Sequence, residues 1–402
     1  MPQEPGAVKA ACARLRAMPA SIVIAGGGLM GLSAAWHLRR AEPDARVTVL
    51  ERGRVGSAAS GASAAGVRAM GRDPAERALA LASLARWPEL DRELEGATRY
   101  RRGGGLRVAL EDAAWRKVPG WIAEQRADGV PLELVDATAA RTLAPGLAPM
   151  CAGGVYCAID GQAEAMATVT AFAAAARRVG ARIEEGVGVT AFVAERGRVV
   201  AVASSDGRRH ACDVALVAAG TWSAPLLAGL GVRVPLATRG LQMLLTERAS
   251  GALAPVVSAF GRKLSLKQLA SGAWLIGGGW PADIPDETQN RWALRDDSVK
   301  ASLEVAREVY PPVGEATLAR GWAGLEAFTP DDLPLLGPVP GIDGLLVAAG
   351  FCGHGFALAP AVGDVLARLA LGGDARADLW RGLGIDRFDA AGTIETAKGA
   401  WC

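Results

Sequence analysis

The chain has 402 residues, half of them apolar, with 44 basic against 42 acidic side chains and a formal net charge of +2. That length exceeds one small core and suits two interleaved domains or one large α/β unit. The near balance of charge gives no ground for a nucleic-acid or general anionic partner, and six cysteines without a CxxC spacing, beside only three histidines, give none for a zinc site.

Residues 1–17 are Ala-rich but interrupted by Lys9, Arg14 and Arg16, so no continuous apolar run forms. They read as an N-terminal extension ahead of Met18, with neither a signal peptide nor a membrane span, and the expected compartment is the cytoplasm with reduced thiols. Ser21 to Ala25 is a short β-branched run expected as a buried parallel strand. Gly26-Gly27-Gly28-Leu29-Met30-Gly31 follows directly. A helix is predicted from Leu32 to Arg40, with Leu32, Ala35, Trp36 and Leu38 for its buried face, and Pro43-Asp44 ends it. Arg46 to Leu50 alternates as a second strand and runs into Glu51, completing a βαβ unit.

The G-x-G-x-x-G at Gly26, Gly28 and Gly31 is weak as a bare pattern. Here it lies between a strand and a helix, with an acid about 20 residues on, which is the context a dinucleotide site requires. Gly26 permits the tight turn, Gly28 lets the backbone approach a pyrophosphate at the helix N-terminus, and Gly31 lets helix and strand pack closely. Glu51 is placed to accept from the ribose hydroxyls. The unit alone does not separate FAD from NAD, and an ordinary Gly-rich turn is the plainer alternative.

Residues 53–72 are rich in Gly, Ala and Ser. A flexible linker is one reading. Helical periodicity resumes by Ala78 and Leu79, however, so the small residues are better read as a backbone approaching a ligand. An Ala-rich helix is expected at 165–178, a strand within Arg182 to Val193, and a hairpin followed by a buried strand from Val199 to Ala218. Short alternating segments between Val232 and Gly279 predict antiparallel sheet. A helix is expected at 296–310, a loop from Pro330 to Pro340, a last buried strand at Leu345 to Ala349, and a helix from about Pro360 to Leu371. Cofactor-type strands at the start, middle and end imply α/β architecture. A discontinuous Rossmann-like cofactor domain (18–90, 151–225 and 330–402) would carry an inserted antiparallel-sheet substrate domain (91–150 and 226–329).

Four segments bear a resemblance to the D-amino-acid-oxidase-like family of FAD oxidoreductases. They are the strand–Gly motif–Glu51 unit; Ser60-Gly61-Ala62-Ser63-Ala64-Ala65-Gly66-Val67-Arg68; Val217-Ala218-Ala219-Gly220-Thr221-Trp222-Ser223; and Trp322 to Asp331 with Pro334 to Gly337 and Gly350 to Phe356. The resemblance implies a glutathione-reductase-like FAD domain and non-covalent FAD. The implied cofactor residues are Gly26, Gly28, Leu29, Met30, Gly31, Glu51, Arg52, Ser60, Ser63, Ala64, Ala65, Gly66, Val187, Ala219, Gly220, Trp222, Gly353, His354, Gly355 and Phe356. His354, Glu326 and Arg68 are the candidates for catalysis. A strand entering Gly353-His354-Gly355 and then a helix offers N–H groups suited to a reduced flavin's negative charge, and His354 adds a donor or acts only as a structural cap. His37, His210 and Cys352 are expected to serve packing or surface roles.

Departures from the family carry information. Relatives with covalent FAD have a Cys where this chain has Gly324. The same relatives carry a Lys before the Gly of a substrate-domain strand, which promotes oxygen reduction there; here Leu275-Ile276-Gly277 occupies that segment, with no Lys. Glycine-oxidase-like members place an Arg for the substrate carboxylate where Glu326 stands, so Arg68, Arg239, Arg262 and Lys267 are the alternative cations, left unranked. The resemblance implies oxidation of the C–N bond of a small amino, N-substituted amino or imino acid to an imine by hydride transfer to flavin, in a flavin subunit of a heteromeric dehydrogenase with electron-transfer partner subunits. A free-standing oxidase and an RNA-modifying flavoprotein are the alternatives. An NAD dehydrogenase leaves the Gly-His-Gly segment unexplained.

Overall fold

The computed structural model describes residues 20–373 and 375–388. The expected extension over 1–17, with Cys12, and the terminal Cys402 lie outside the described residues. Two large sheets organise the rest. The first has six strands in the order Leu335–Pro338, Leu345–Ala349, Val214–Val217, Ser21–Ala25, Arg46–Glu51 and Arg182–Glu185. All neighbours are parallel except the Leu335–Pro338 edge. This is the Rossmann-like sheet of an α/β fold, and its central strands are apolar because helices cover them.

Helix Leu29–Ala41 is buried over all of Leu29 to Leu38, not along one stripe. It lies between the sheet and helices Ala165–Arg178 and Gly355–Ala370. The crossing with the last helix is tight. Ser33 Oγ donates to the Ala359 carbonyl at 2.8 Å, and a methyl on Gly363 would come within 2.7 Å of the Ser33 carbonyl carbon. Trp36, Leu32 and Leu38 join one core cluster with the helix Gly355–Ala370.

The second sheet has ten strands and is antiparallel in all but one pairing. Val256–Ala259 runs parallel to Gly105–Ala109 and so joins the two chain segments expected to build this sheet. Strand Gly153–Cys157 pairs between Gly105–Ala109 and Leu132–Asp136, so the expected boundary at 151 cuts through a sheet that this strand completes. Alternation sorts the sheet's faces. Leu264, Leu266, Trp274 and Ile276 pack in a second cluster with residues of helix Asp296–Val309, while Lys267, next in alternation, donates to the Ala163 carbonyl.

Two local expectations are corrected. The stretch Pro330 to Pro340 contains strand Leu335–Pro338, whose one proline, Pro338, is tolerated because the strand is an edge. The final helix begins at Gly355, five residues before Pro360, which sits inside it. Every residue from Phe356 to Gly363 is buried, and that packing overrides the helix-breaking tendency of proline.

Candidate active site

A cleft of about 680 Å³ opens at the carboxyl ends of the parallel strands, where such sheets bind ligands. Its floor is the Gly-rich turn. Gly26 has φ +111°, and a side chain there would run into the Ala218 carbonyl oxygen, so the position demands glycine on both conformational and steric grounds. At Gly28 an added Cβ would meet only Ser60 Oγ, at 3.0 Å. The space beyond Gly28 is therefore cleft, not protein. Gly31 does not line the cleft, because its missing side chain accommodates the Gly26 carbonyl and Ile24.

Glu51 is fixed before any ligand arrives. Its carboxylate accepts from Gly27 N at 2.7 Å and Gly53 N at 2.8 Å. Ser60 Oγ accepts from Leu29 N at 3.0 Å, at the N-terminus of helix Leu29–Ala41. Arg52 lies with its guanidinium 3.5 Å over the Trp222 ring, so two cofactor candidates from different loops form one wall. Leu29, Met30, Ser63, Ala219 and Gly220 line the same cleft. Ala64, Ala65, Gly66 and Val187 do not. Ala65 N is turned to Ser63 Oγ, and Val187 N to the Glu51 carbonyl, while Gly188 and Val189 take the lining position.

At the other end, Gly353, Gly355 and Phe356 line the cleft where helix Gly355–Ala370 begins. Glu326 reaches it from strand Leu318–Phe328 of the second sheet. Burial pushes its carboxyl up to about 7, with the Gly353 N–H pulling the other way, and no cation contributes. The same strand passes so close to the short helix Ala59–Ala62 that a Cβ on Gly324 would lie 2.7 Å from the Ala62 methyl. Trp322 Nε1 donates to the Ala62 carbonyl at 2.9 Å and fixes that contact.

His354 does not line the cleft. Its Nδ1 lies 3.0 Å from Glu76 Oε2, and the residue is buried. Burial holds the imidazole below its usual value, and beside it Glu76 is held down by His354 and Arg72 despite its own burial. Through Nδ1, His354 thus links the start of the last helix to helix Pro74–Leu84, as its structural-cap alternative expects. Arg68 also stands outside the cleft lining. It belongs to a cluster with Arg72, Arg107, Asp160 and Glu76, and burial and Arg72 lower it to about 10.

Among the alternative cations, Arg262 is committed elsewhere, paired to Glu308 and Glu111. Arg239 stands opposite Glu326 in strand register, with its guanidinium over the Phe328 ring. Lys267 stands opposite Leu275, buried, with Nζ donating to the Ala163 carbonyl at 2.8 Å and burial lowering it to about 7. A lysine missing from the segment Leu275-Ile276-Gly277 is thus present on the adjacent strand. His37 is braced by Ser33 and Arg86 and drops to about 3, mainly through burial, and the Cys352 thiol is pushed up to about 12 by burial. Both serve packing. Sequence reasoning missed Thr288, Gln289 and Asn290, which line the cleft from the second sheet. No local pattern marks them, because their relevance arises only from how two sheets meet.

The cleft fits a dinucleotide. It offers an open approach at Gly28, a preset acid at Glu51 and a helix N-terminus at each end.

A family model described as FAD dependent oxidoreductase matches residues 21–369. Glycine oxidase of Pseudomonas putida is 32% identical over 368 residues, covering 89% of this chain and 96% of that protein. Sarcosine oxidase subunit beta of Rhizobium meliloti is 27% identical, covering 94% and 91%. The crystal structure of L-proline dehydrogenase from P. horikoshii superposes with a TM-score of 0.84 at 26% identity, covering 92% of this chain and 98% of that one.

Proposed function

Since the chain belongs to the FAD-dependent oxidoreductase family of D-amino-acid-oxidase type, we propose that it oxidises the C–N bond of a small amino, N-substituted amino or imino acid to an imine. What supports this reading is a single cleft that joins a dinucleotide motif at one end to Glu326 and Gly353 at the other. FAD supplies the hydride acceptor when bound.

The chain's own residues have three tasks in this reading. Gly28, Glu51 and Ser60 position the dinucleotide. The N–H groups opening helix Gly355–Ala370 face the flavin end, where they favour developing negative charge. Glu326 takes up the proton that the substrate ammonium must lose before its neutral amine can release a hydride. A carboxyl near neutrality is matched to that exchange. The substrate itself is oriented between strand Leu318–Phe328 and the Gly353 turn.

We further propose that the chain acts as the flavin subunit of a heteromeric dehydrogenase; that one relative is named as a subunit, sarcosine oxidase subunit beta, supports the heteromeric part of this reading. The test of the catalytic reading is anaerobic mixing of the yellow protein with a panel of amino and imino acids. Bleaching of the flavin by at least one secondary or primary α-amino acid is expected. Flavin that stays oxidised with the whole panel sinks the reading.

A further inference from the structure

The second sheet ends in a hairpin, strands Pro281–Asp286 and Arg291–Ala293, whose turn reaches across to the first sheet. The turn has a preset shape. Asp286 Oδ1 accepts from Thr288 Oγ1 at 2.6 Å and from Gln289 N at 3.2 Å. Asn290 N closes on the Glu287 carbonyl at 3.1 Å, and Asn290 takes φ +53°, which asparagine tolerates better than most residues.

The tip is fastened to both loops that frame the cleft. Glu287 Oε1 accepts from Thr238 Oγ1 at 2.6 Å and from Thr221 Oγ1 at 3.2 Å. Trp222 Nε1 donates to the Glu287 carbonyl at 3.1 Å. Arg52 Nη1 donates to the Thr288 carbonyl at 2.9 Å while stacking on Trp222. Asn290 Nδ2 donates to the Ser57 carbonyl at 3.1 Å. Thr221 and Trp222 follow strand Val214–Val217; Arg52 and Ser57 follow Glu51. The hairpin thus bridges the cleft at its Glu51 end.

One further observation points to a ligand. Thr288, Gln289 and Asn290 line the cleft, and Asn290 Oδ1 is buried without a donor. A buried acceptor left unpaired is costly, and a hydroxyl or amino hydrogen from a bound molecule would satisfy it.

We infer that the turn Glu287–Asn290 is part of the cofactor site: it closes over the adenosine half of FAD and retains it without a covalent bond. The inference rests on the reading that the cleft holds FAD. It assigns cofactor retention to the inserted sheet, outside every sequence motif for dinucleotides.

The test follows FAD release from diluted holoprotein by flavin fluorescence, in wild type, Glu287→Ala, Glu287→Gln and Asn290→Gly. Glutamine keeps an acceptor oxygen for the two threonines, and glycine keeps the positive φ. Release is expected to accelerate about tenfold in Glu287→Ala and in Asn290→Gly, the loss of one or two hydrogen bonds, and to stay within about twofold in Glu287→Gln. ADP, which carries the adenosine and pyrophosphate without flavin, should by direct titration bind both loosened apoproteins about tenfold more weakly than it binds the wild-type apoprotein. Equal release from all four proteins would overturn the inference. So would release from Glu287→Gln as fast as from Glu287→Ala, which would mark a general loosening of the fold. A holoprotein whose flavin no amino acid reduces sinks the catalytic reading, yet its release rates still decide this one.

Discussion

Gly26 and Gly28 stand two residues apart and should fail differently when replaced by alanine. At Gly26 the methyl collides with backbone and the φ of +111° is strained, so Gly26→Ala should cost stability in the apoprotein. At Gly28 the methyl projects toward the cleft beside Ser60 Oγ, so Gly28→Ala should fold and lose FAD. Thermal melts of both apoproteins, with flavin content after purification, separate the two. Full FAD occupancy in Gly28→Ala would remove the motif from the cofactor site. Glu326 sets a pH dependence with a definite sign. Its folded value near 7 is raised above the usual carboxyl value of 4.5, so the stability it contributes is full below 4.5 and is lost as pH rises through 7. The carboxylate that accepts a proton therefore appears as that stability disappears. Anaerobic flavin reduction should rise with a limb near pH 7 in the wild type, and Glu326→Gln should lack the limb. A limb that survives the substitution assigns it to the substrate amine or to Lys267.

Elements meet through two contacts whose disruption should be visible as stability. Helices Leu29–Ala41 and Gly355–Ala370 cross at Ser33 and Gly363 with no room for a methyl. Overpacking such a crossing typically costs about 1–3 kcal/mol, so Gly363→Ala should lower the melting temperature and loosen FAD, because both helices start at the cleft. An unchanged melting temperature would mean that the helices can slide apart freely. His354 joins helix Gly355–Ala370 to helix Pro74–Leu84 through Glu76. His354→Ala strands a buried carboxylate oxygen, a loss of about 1–3 kcal/mol. It should therefore lower stability, with the rate of flavin reduction changing less. A rate loss near 10²-fold without destabilisation would restore the direct flavin contact expected from the sequence.

At the scale of the whole molecule, the two sheets enclose one cleft, and the electron acceptor depends on what reaches the reduced cofactor there. The lack of a lysine in Leu275-Ile276-Gly277 argues for slow reaction with oxygen, but Lys267 stands opposite Leu275 on the neighbouring strand. The isolated chain should reduce an artificial dye faster than oxygen, and peroxide production matching the dye rate would favour a free-standing oxidase. The flavin should leave with the supernatant after heat or acid, since Gly324 leaves no thiol and no space for one beside Ala62. No helix among the described residues is long and apolar enough to cross a membrane.

By itself the sequence determined the βαβ unit, the acid at Glu51, the parallel and antiparallel segments and the family. These are local signals: period, turn chemistry and motif spacing all reside in contiguous residues. It misjudged the start of the last helix, because Gly-His-Gly and Pro360 look like breakers and only burial on every side holds that helix together. It also offered His354 as a flavin donor, with a structural cap as the alternative, because Gly353-His354-Gly355 stands at a helix start. Side chains of adjacent residues at a helix start diverge, and Glu76, nearly 280 residues earlier, claims the imidazole. The closing turn Glu287–Asn290 and the facing of Lys267 to Leu275 were decided by tertiary structure alone. Each depends on the register between strands and on where one sheet meets the other, and neither distance is written in any short stretch of chain.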